Sequence, residues 1–377
     1  MHDVRRALAD PHPLGLLSLA SSLLEVVDPR GRSPFDEDDD EELSLDELVA
    51  SFLGVHRRET SALLAAIAGM VADDRLRARI RLGLEERTDQ RPPWLVRLAE
   101  VEAYRTVEMV HVLGDGDDVM VGVRFPGGHE LSVVVYIDHN LGTVVKDAFV
   151  LPGPLAELIE VMRGEIDDPD TWWDDIDLAA ARARITEAVA SGAMTYPPFE
   201  TDSWPMCRPL VEWVVRLLPE GGTGYQRPEW EEAALDALAE RFFASAFGEA
   251  VDDADHRRLL DSVLWFGSDY GPGDPMRWSP VAVELILMDW IPRKLVEPAS
   301  HLAKAPELLR AFIRFCHAER GIRPALTTET LEAVDHWEPE YQEIIRSPRP
   351  QGPEALLAAM GVIDPDGPWT MPDDDLS

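Results

Sequence analysis

The sequence predicts an α+β fold, predominantly α-helical: a four-stranded antiparallel β-meander flanked by helices, plus a larger all-helical region. Three features predict it. Four short valine-rich segments lie close together between residues 105 and 150, parted only by breaks rich in Gly, Asp or Asn. Apolar residues at helical spacing fill most of the chain before and after them. Helix starts and stops are written at the boundaries as Ser-x-x-Glu, Asp, Pro and Gly.

In chain order, residues 13–26 carry a helical apolar pattern. Residues 31–43 form a polar linker with the run Asp36-Glu37-Asp38-Asp39-Asp40-Glu41-Glu42. Ser44 and Glu47 make a capping box opening a helix through Phe52, with Gly54 as its left-handed stop. Helices follow over 57–72, from Asp73 or Asp74 onward, and over 94–101 after Pro92-Pro93. Strands are read at 105–113, 119–125, 131–137 and 143–150, and their short breaks imply hairpins. The run Val133-Val134-Val135-Tyr136-Ile137 shows no polar alternation, so that strand should be covered on both faces. After Pro152 the pattern is helical: 155–162, 177–190 (stopped by Gly192), 207–218, 228–247, 254–266, 280–288, 306–319 (stopped by Gly321), 328–335, 338–346 and 353–360. Pro228 and Pro280 suit first-turn positions. Two domains are expected, 1–152 and 153–377, the second ending in a loose acidic tail, although 155–162 can also pack back onto the sheet.

Hydrophobic residues make up 45% of the 377, enough for packed cores. The apolar stretch 14–27 is too short to span a bilayer and lacks a cleavage-type ending, so no membrane segment or leader is expected. Cys207 and Cys316 give neither a disulfide framework nor zinc spacing, which suits a reducing cytoplasm. The net charge of −36 disfavours nucleic acid and anionic membranes in general. That charge is uneven: residues 1–50 carry 4 Arg against 13 acids, whereas 51–100 carry 9 Arg against 7. The second block is a basic island in an acidic chain.

Within that island, 45–67 resembles a helix-turn-helix segment. Ala50 and Gly54 have the spacing that lets two helices cross closely, and Arg57, Arg58, Thr60 and Ser61 would open the recognition helix. Arg75, Arg77, Arg79 and Arg81 could add phosphate contacts, so nucleic acid is expected only through 57–81. The same residues also read as a plain packed helical pair, the commoner outcome, and Thr60 stands where the motif prefers an apolar residue. Docking of the acidic run 36–42 on the basic helix 75–81 is compatible with the charges.

Other candidates are weaker. Asp138 and His139, with Asn140, Lys146 and Asp147 nearby, offer metal-ligand or acid–base chemistry, but they also suit a solvated turn. Asp253 with His256, and Glu332 with His336, each share a helical face, as chance pairs in an acidic chain also do. Gly221, Gly222 and Gly224 lack the Lys-Ser/Thr of a phosphate loop. The acidic run lacks the spacing of a calcium loop. Trp213, Trp265 and Trp290 sit on apolar helical patterns and read as core. Trp172, Trp173 and Trp204 lie by acidic or Pro-rich loops and are candidate anchors for a protein partner.

Two stretches, Tyr136 to Phe149 and Asp289-Trp290-Ile291-Pro292-Arg293-Lys294 together with 308–315, resemble segments of cytoplasmic proteins of high-GC actinobacteria. The resemblance implies a bacterial cytoplasmic origin and no particular activity. The scarcity of lysine, present only at Lys146, Lys294 and Lys304, fits high-GC coding or a salt-adapted source. The expected function is non-enzymatic and works through protein–protein contacts, without cofactor. A DNA-binding regulator and a metal-dependent hydrolase are the alternatives.

Overall fold

The computed structural model describes residues 2–31, 43–195, 198–201 and 203–347. These form an α+β protein, mainly helical, with one open five-stranded antiparallel sheet. Two compact units are present. The first holds residues up to 111 with 116–139 and 143–226, and the second holds 112–115, 140–142 and the chain from 227 onward.

The first unit opens with α1 (His2–Ala9), α2 (Leu14–Val26), α3 (Leu45–Leu53), α4 (Arg58–Met70), α5 (Asp74–Glu85) and α6 (Pro93–Val96). The capping box is formed: Glu47 N–H donates to Ser44 Oγ at 3.2 Å, and Ser44 N–H donates to the Glu47 carboxylate at 2.9 Å. Asp73 caps α5 by accepting from the amides of Arg75 and Leu76. Gly54 differs from expectation. It ends α3 at φ −70°, a right-handed conformation that any residue adopts.

The meander consists of β1 (Glu102–His111), β2 (Gly116–Arg124), β3 (Glu130–Asp138) and β4 (Val144–Pro152). A fifth strand, β5 (Thr171–Asp175), lies against β1, and the order is β4-β3-β2-β1-β5. The four-stranded expectation is therefore one strand short. Thr171-Trp172-Trp173 has strand-forming residues, but the acids around it read as loop. What makes it a strand is pairing with the open edge of β1, a contact between residues far apart in the chain.

Two layers cover the sheet. After β4 come α7 (Leu155–Glu165), α8 (Leu178–Ala193) and α9 (Ser203–Val215). On one face Val119, Val121, Val133, Val135 and Ile137 join the core shared with α2, α4, α8 and α9. On the other, Val107, Met120 and Val134 pack against Leu155 and Ile159 of α7. The valine run of β3 is thus buried from both sides, as its lack of alternation predicts. Pro152 lies inside the first unit, because the helices that follow it bury their apolar stripes on the sheet. The expected boundary at 152 is replaced by one at 226/227. Gly192 does not stop α8, which continues to Ala193.

α2 and α9 are joined by a buried hydroxyl. Leu210 N–H donates to Ser21 Oγ at 3.2 Å, and that hydroxyl donates to the Met206 carbonyl at 2.6 Å. Ser21 thereby bridges the helical ladder beside Pro209, which has no N–H of its own.

The second unit contains α10 (Glu232–Phe243), α11 (Ala254–Asp269), α12 (Pro280–Glu284), α13 (Ile291–Lys294), α14 (Ala299–Leu302), α15 (Ala305–Arg320) and α16 (Pro324–Ile344). A π-helical stretch, Leu285–Trp290, joins α12 to α13. Phe242, Trp278, Phe312 and Tyr341 are buried at its centre. Ser279 caps α12 ahead of Pro280, and Gly321 ends α15 at φ +68° as expected. Pro228, by contrast, precedes its helix, which begins at Glu232. The two helices read at 328–346 are one, because Pro339 costs α16 a single hydrogen bond without breaking it. The helix read at 353–360 and the acidic run 36–42 lie outside the described residues. Among the described residues no helix is long and apolar enough to cross a membrane.

Candidate anion-binding site

The first unit carries a cleft of about 450 Å³ between α4, α5, α6 and α9. Its floor includes Ala65, Gly69, Leu95 and Trp213, and Arg77, Arg81, Arg91 and Arg216 converge on it. Small residues on α4 make this possible. A Cβ at Gly69 would stand 2.3 Å from Leu98 Cδ2, so glycine lets the 98–100 turn close onto the helix. Trp213 is held by Phe125, whose ring also packs edge-on against Trp94.

Four guanidiniums on one cleft are unusual in a chain of net charge −36. Arg77 is anchored by Asp74 at 3.0 Å and by the Val71 carbonyl at 2.8 Å, while its buried Nε has no hydrogen-bond partner among the described residues. Arg216 donates to the Met70 carbonyl. Burial holds the Arg216 pKa below the usual arginine value, Glu212 opposes this, and the like charges of Arg77 and Arg182 add to the lowering. Among the described residues Arg81, Arg91 and Arg216 form no ion pair. Arg216 also borders a second cavity of about 260 Å³ with Arg182, Val189 and Val211.

Of the residues expected to open a recognition helix, two are exposed and two are buried. Arg57 and Arg58 are exposed, but Thr60 and Ser61 are 2% and 1% exposed. Thr60 Oγ1 meets the Val55 and Arg57 carbonyls and accepts from Arg57 N–H and Arg87. Ser61 donates to Asp89 at 2.7 Å and accepts from Arg87 at 3.0 Å. Beyond them α4 buries Leu63, Leu64, Ala66, Ile67 and Met70. A recognition helix needs a free face, and this one is buried nearly all round because its residues are apolar on every side. Arg91, Trp213 and Arg216, which complete the cleft, were missed because 122 or more residues separate Arg91 from the tryptophan and Arg216.

Asp138 and His139 do not share a site. Asp138 accepts from Lys146 at 3.1 Å, whereas His139 places Nε2 2.9 Å from Asp117 and Nδ1 3.2 Å from Thr143 Oγ1. Successive residues leaving a strand diverge, so the proposed metal pair is split. The His139 ring meets Tyr225 edge-on at 4.7 Å, and Arg184, paired with Glu108, lies over the same tyrosine. Thr143 adopts φ +60°, rare for a β-branched residue. Asp147 accepts from Ser203.

Of the candidate aromatic anchors, Trp172 is 42% exposed on β5. Trp173 is half-buried beneath Arg163. Trp204 is 3% exposed and packs under Arg208, so it is core and cannot anchor a partner. Trp265 is the converse: read as core, it is 43% exposed, and its indole N–H reaches Asp269. Asp253 and His256 form a helix cap, the carboxylate accepting from the His256 amide and contacting its ring. Glu332 and His336 lie on an exposed face of α16. Comparisons of the chain with protein-family models, with curated proteins and with solved structures return no match.

Proposed function

We propose that this chain is a non-enzymatic binding protein whose arginine cleft captures a small organic anion with an apolar body. The observation that carries this reading is the convergence of Arg77, Arg81, Arg91 and Arg216 on one cavity of a strongly acidic chain, three of them without an ion pair among the described residues. Like charges gathered around an apolar floor are unfavourable alone, and an anion offsets that cost. Guanidinium matches phosphate and carboxylate bidentately. Leu95 and Trp213 supply contact for the apolar body, and the volume suits sites of roughly 300–1,000 Å³ that take small molecules. The reading keeps the non-enzymatic expectation but replaces the expected protein partner with a small organic anion.

Calorimetric titration with octyl phosphate, octanoate and inorganic phosphate at low salt tests it. Octyl phosphate should bind best, since it serves both the arginines and the floor. The double variant R81A/R91A should weaken it by roughly 100-fold, about two charge-assisted hydrogen bonds. Absence of binding, or affinity unchanged in the double variant, would overturn the reading. Duplex DNA binding that is lost in R57A/R58A would favour the regulator instead.

A further inference from the structure

The end of β1 and the start of β5 bring three metal-type donors together. His111, the last residue of β1, pairs in register with Thr171, the first of β5. The turn before β5, Asp168-Pro169-Asp170, is closed by the Thr171 amide donating to the Asp168 carbonyl at 3.2 Å. Asp168 accepts from the Asp170 amide at 3.1 Å and from the Thr171 hydroxyl at 2.8 Å, which sets the direction of its carboxylate. His111 Nε2 stands 3.3 Å from Asp168 Oδ2. One donor atom each from His111, Asp168 and Asp170 lies within 4.8 Å of the other two, and all three residues are half-buried.

We propose that His111, Asp168 and Asp170 bind a divalent transition-metal ion of the zinc or manganese class. Donors about 2.1 Å from one ion, at octahedral to tetrahedral angles, are about 3.0–3.4 Å apart. The observed 3.3 Å falls in that interval. A dication at this point would also relieve the repulsion between the two carboxylates, Asp168 and Asp170, that lie together there. One neutral imidazole with two carboxylates balances a charge of +2. The nitrogen donor disfavours calcium and magnesium, which take oxygen ligands, and favours Zn²⁺, while the two carboxylates also admit Mn²⁺. Three protein donors leave coordination positions for water. Thr171 is a positioning residue acting through Asp168. The site shares no residue with the arginine cleft and stands independently of it.

The test is calorimetric titration of metal-free full-length protein with Zn²⁺ and with Mn²⁺, in millimolar Mg²⁺ to occupy ordinary surface carboxylates. One stoichiometric site is expected. H111A and the isosteric D170N should each weaken it at least about tenfold, while H336A, at an exposed Glu–His pair, should leave it unchanged. D170N keeps the comparison decisive if H111A disturbs the strand end. Lack of a stoichiometric site in the natural protein, or affinity indifferent to both H111A and D170N, would overturn the assignment.

Discussion

Asp118 on β2 is half-buried, and its carboxyl is pushed up to about 6, first by burial and then by the charges of Asp117 and Asp147. The folded protein therefore holds this proton more tightly than the unfolded chain. Stability from the group is full below the unfolded value near 4 and is lost as pH rises through about 6. Replacing Asp118 with Asn removes the loss. The stabilisation of Asp118→Asn over the natural protein should grow by about 1 kcal/mol between pH 5 and pH 8, after some discount for solvent access. Urea unfolding at the two pH values measures this, and an equal difference at both would assign the titration elsewhere. Arginines behave by the same logic: where Glu108 faces Arg184 the guanidinium is stabilised despite burial, and where Arg77 and Arg182 face Arg216 it is not.

At the scale of elements, α4 decides how the basic island is used. Its start signal, its turn and its arginines suggest a recognition helix. Its length of buried side chains makes it a core helix, with Arg87 binding the Phe52 and Leu53 carbonyls at the end of α3. Two substitutions separate these roles. Ile67→Ala, at a residue 0% exposed, should lower unfolding stability by about 3 kcal/mol. Arg58→Ala, on the exposed first turn, should change it by less than about 0.5 kcal/mol. Denaturant titration of both reports the outcome, and a small effect of Ile67→Ala would mean that α4 is less enclosed than described. β5 teaches the related lesson that an edge strand is recruited by its neighbour. Thr106 Oγ1 donates to the Ile176 carbonyl just past the strand, and Arg105 pairs with Asp175, fastening it to β1.

For the whole molecule, 71 acidic residues against 35 basic ones set two salt effects of opposite sign. Screening relieves self-repulsion of the folded chain, so its melting temperature should rise as NaCl goes from low millimolar to about 0.5 M. Anion binding in the arginine cleft should weaken over the same range. Thermal unfolding and titration on one preparation check the pair. Binding that strengthened with salt would argue against a cleft governed by guanidinium charge.

The elements whose causes are local were legible in the residues alone. The capping box at Ser44, the cap at Asp73, the left-handed end at Gly321 and the hairpins of the meander each follow from a few neighbouring residues and their backbone preferences. The two-sided burial of β3 was legible too, because five successive apolar residues leave no polar face. The basic island was visible as composition, but composition does not say which way a side chain faces. The fold sets that Thr60 and Ser61 turn inward, that Arg91 and Arg216 line one cleft, and that His111 meets Asp168 at a sheet edge. The physical reason is separation: Ser61 reaches Asp89, Arg91 shares a cleft with Arg216 and His111 meets Asp168 only once α4 and α9 have packed and β5 has paired with β1.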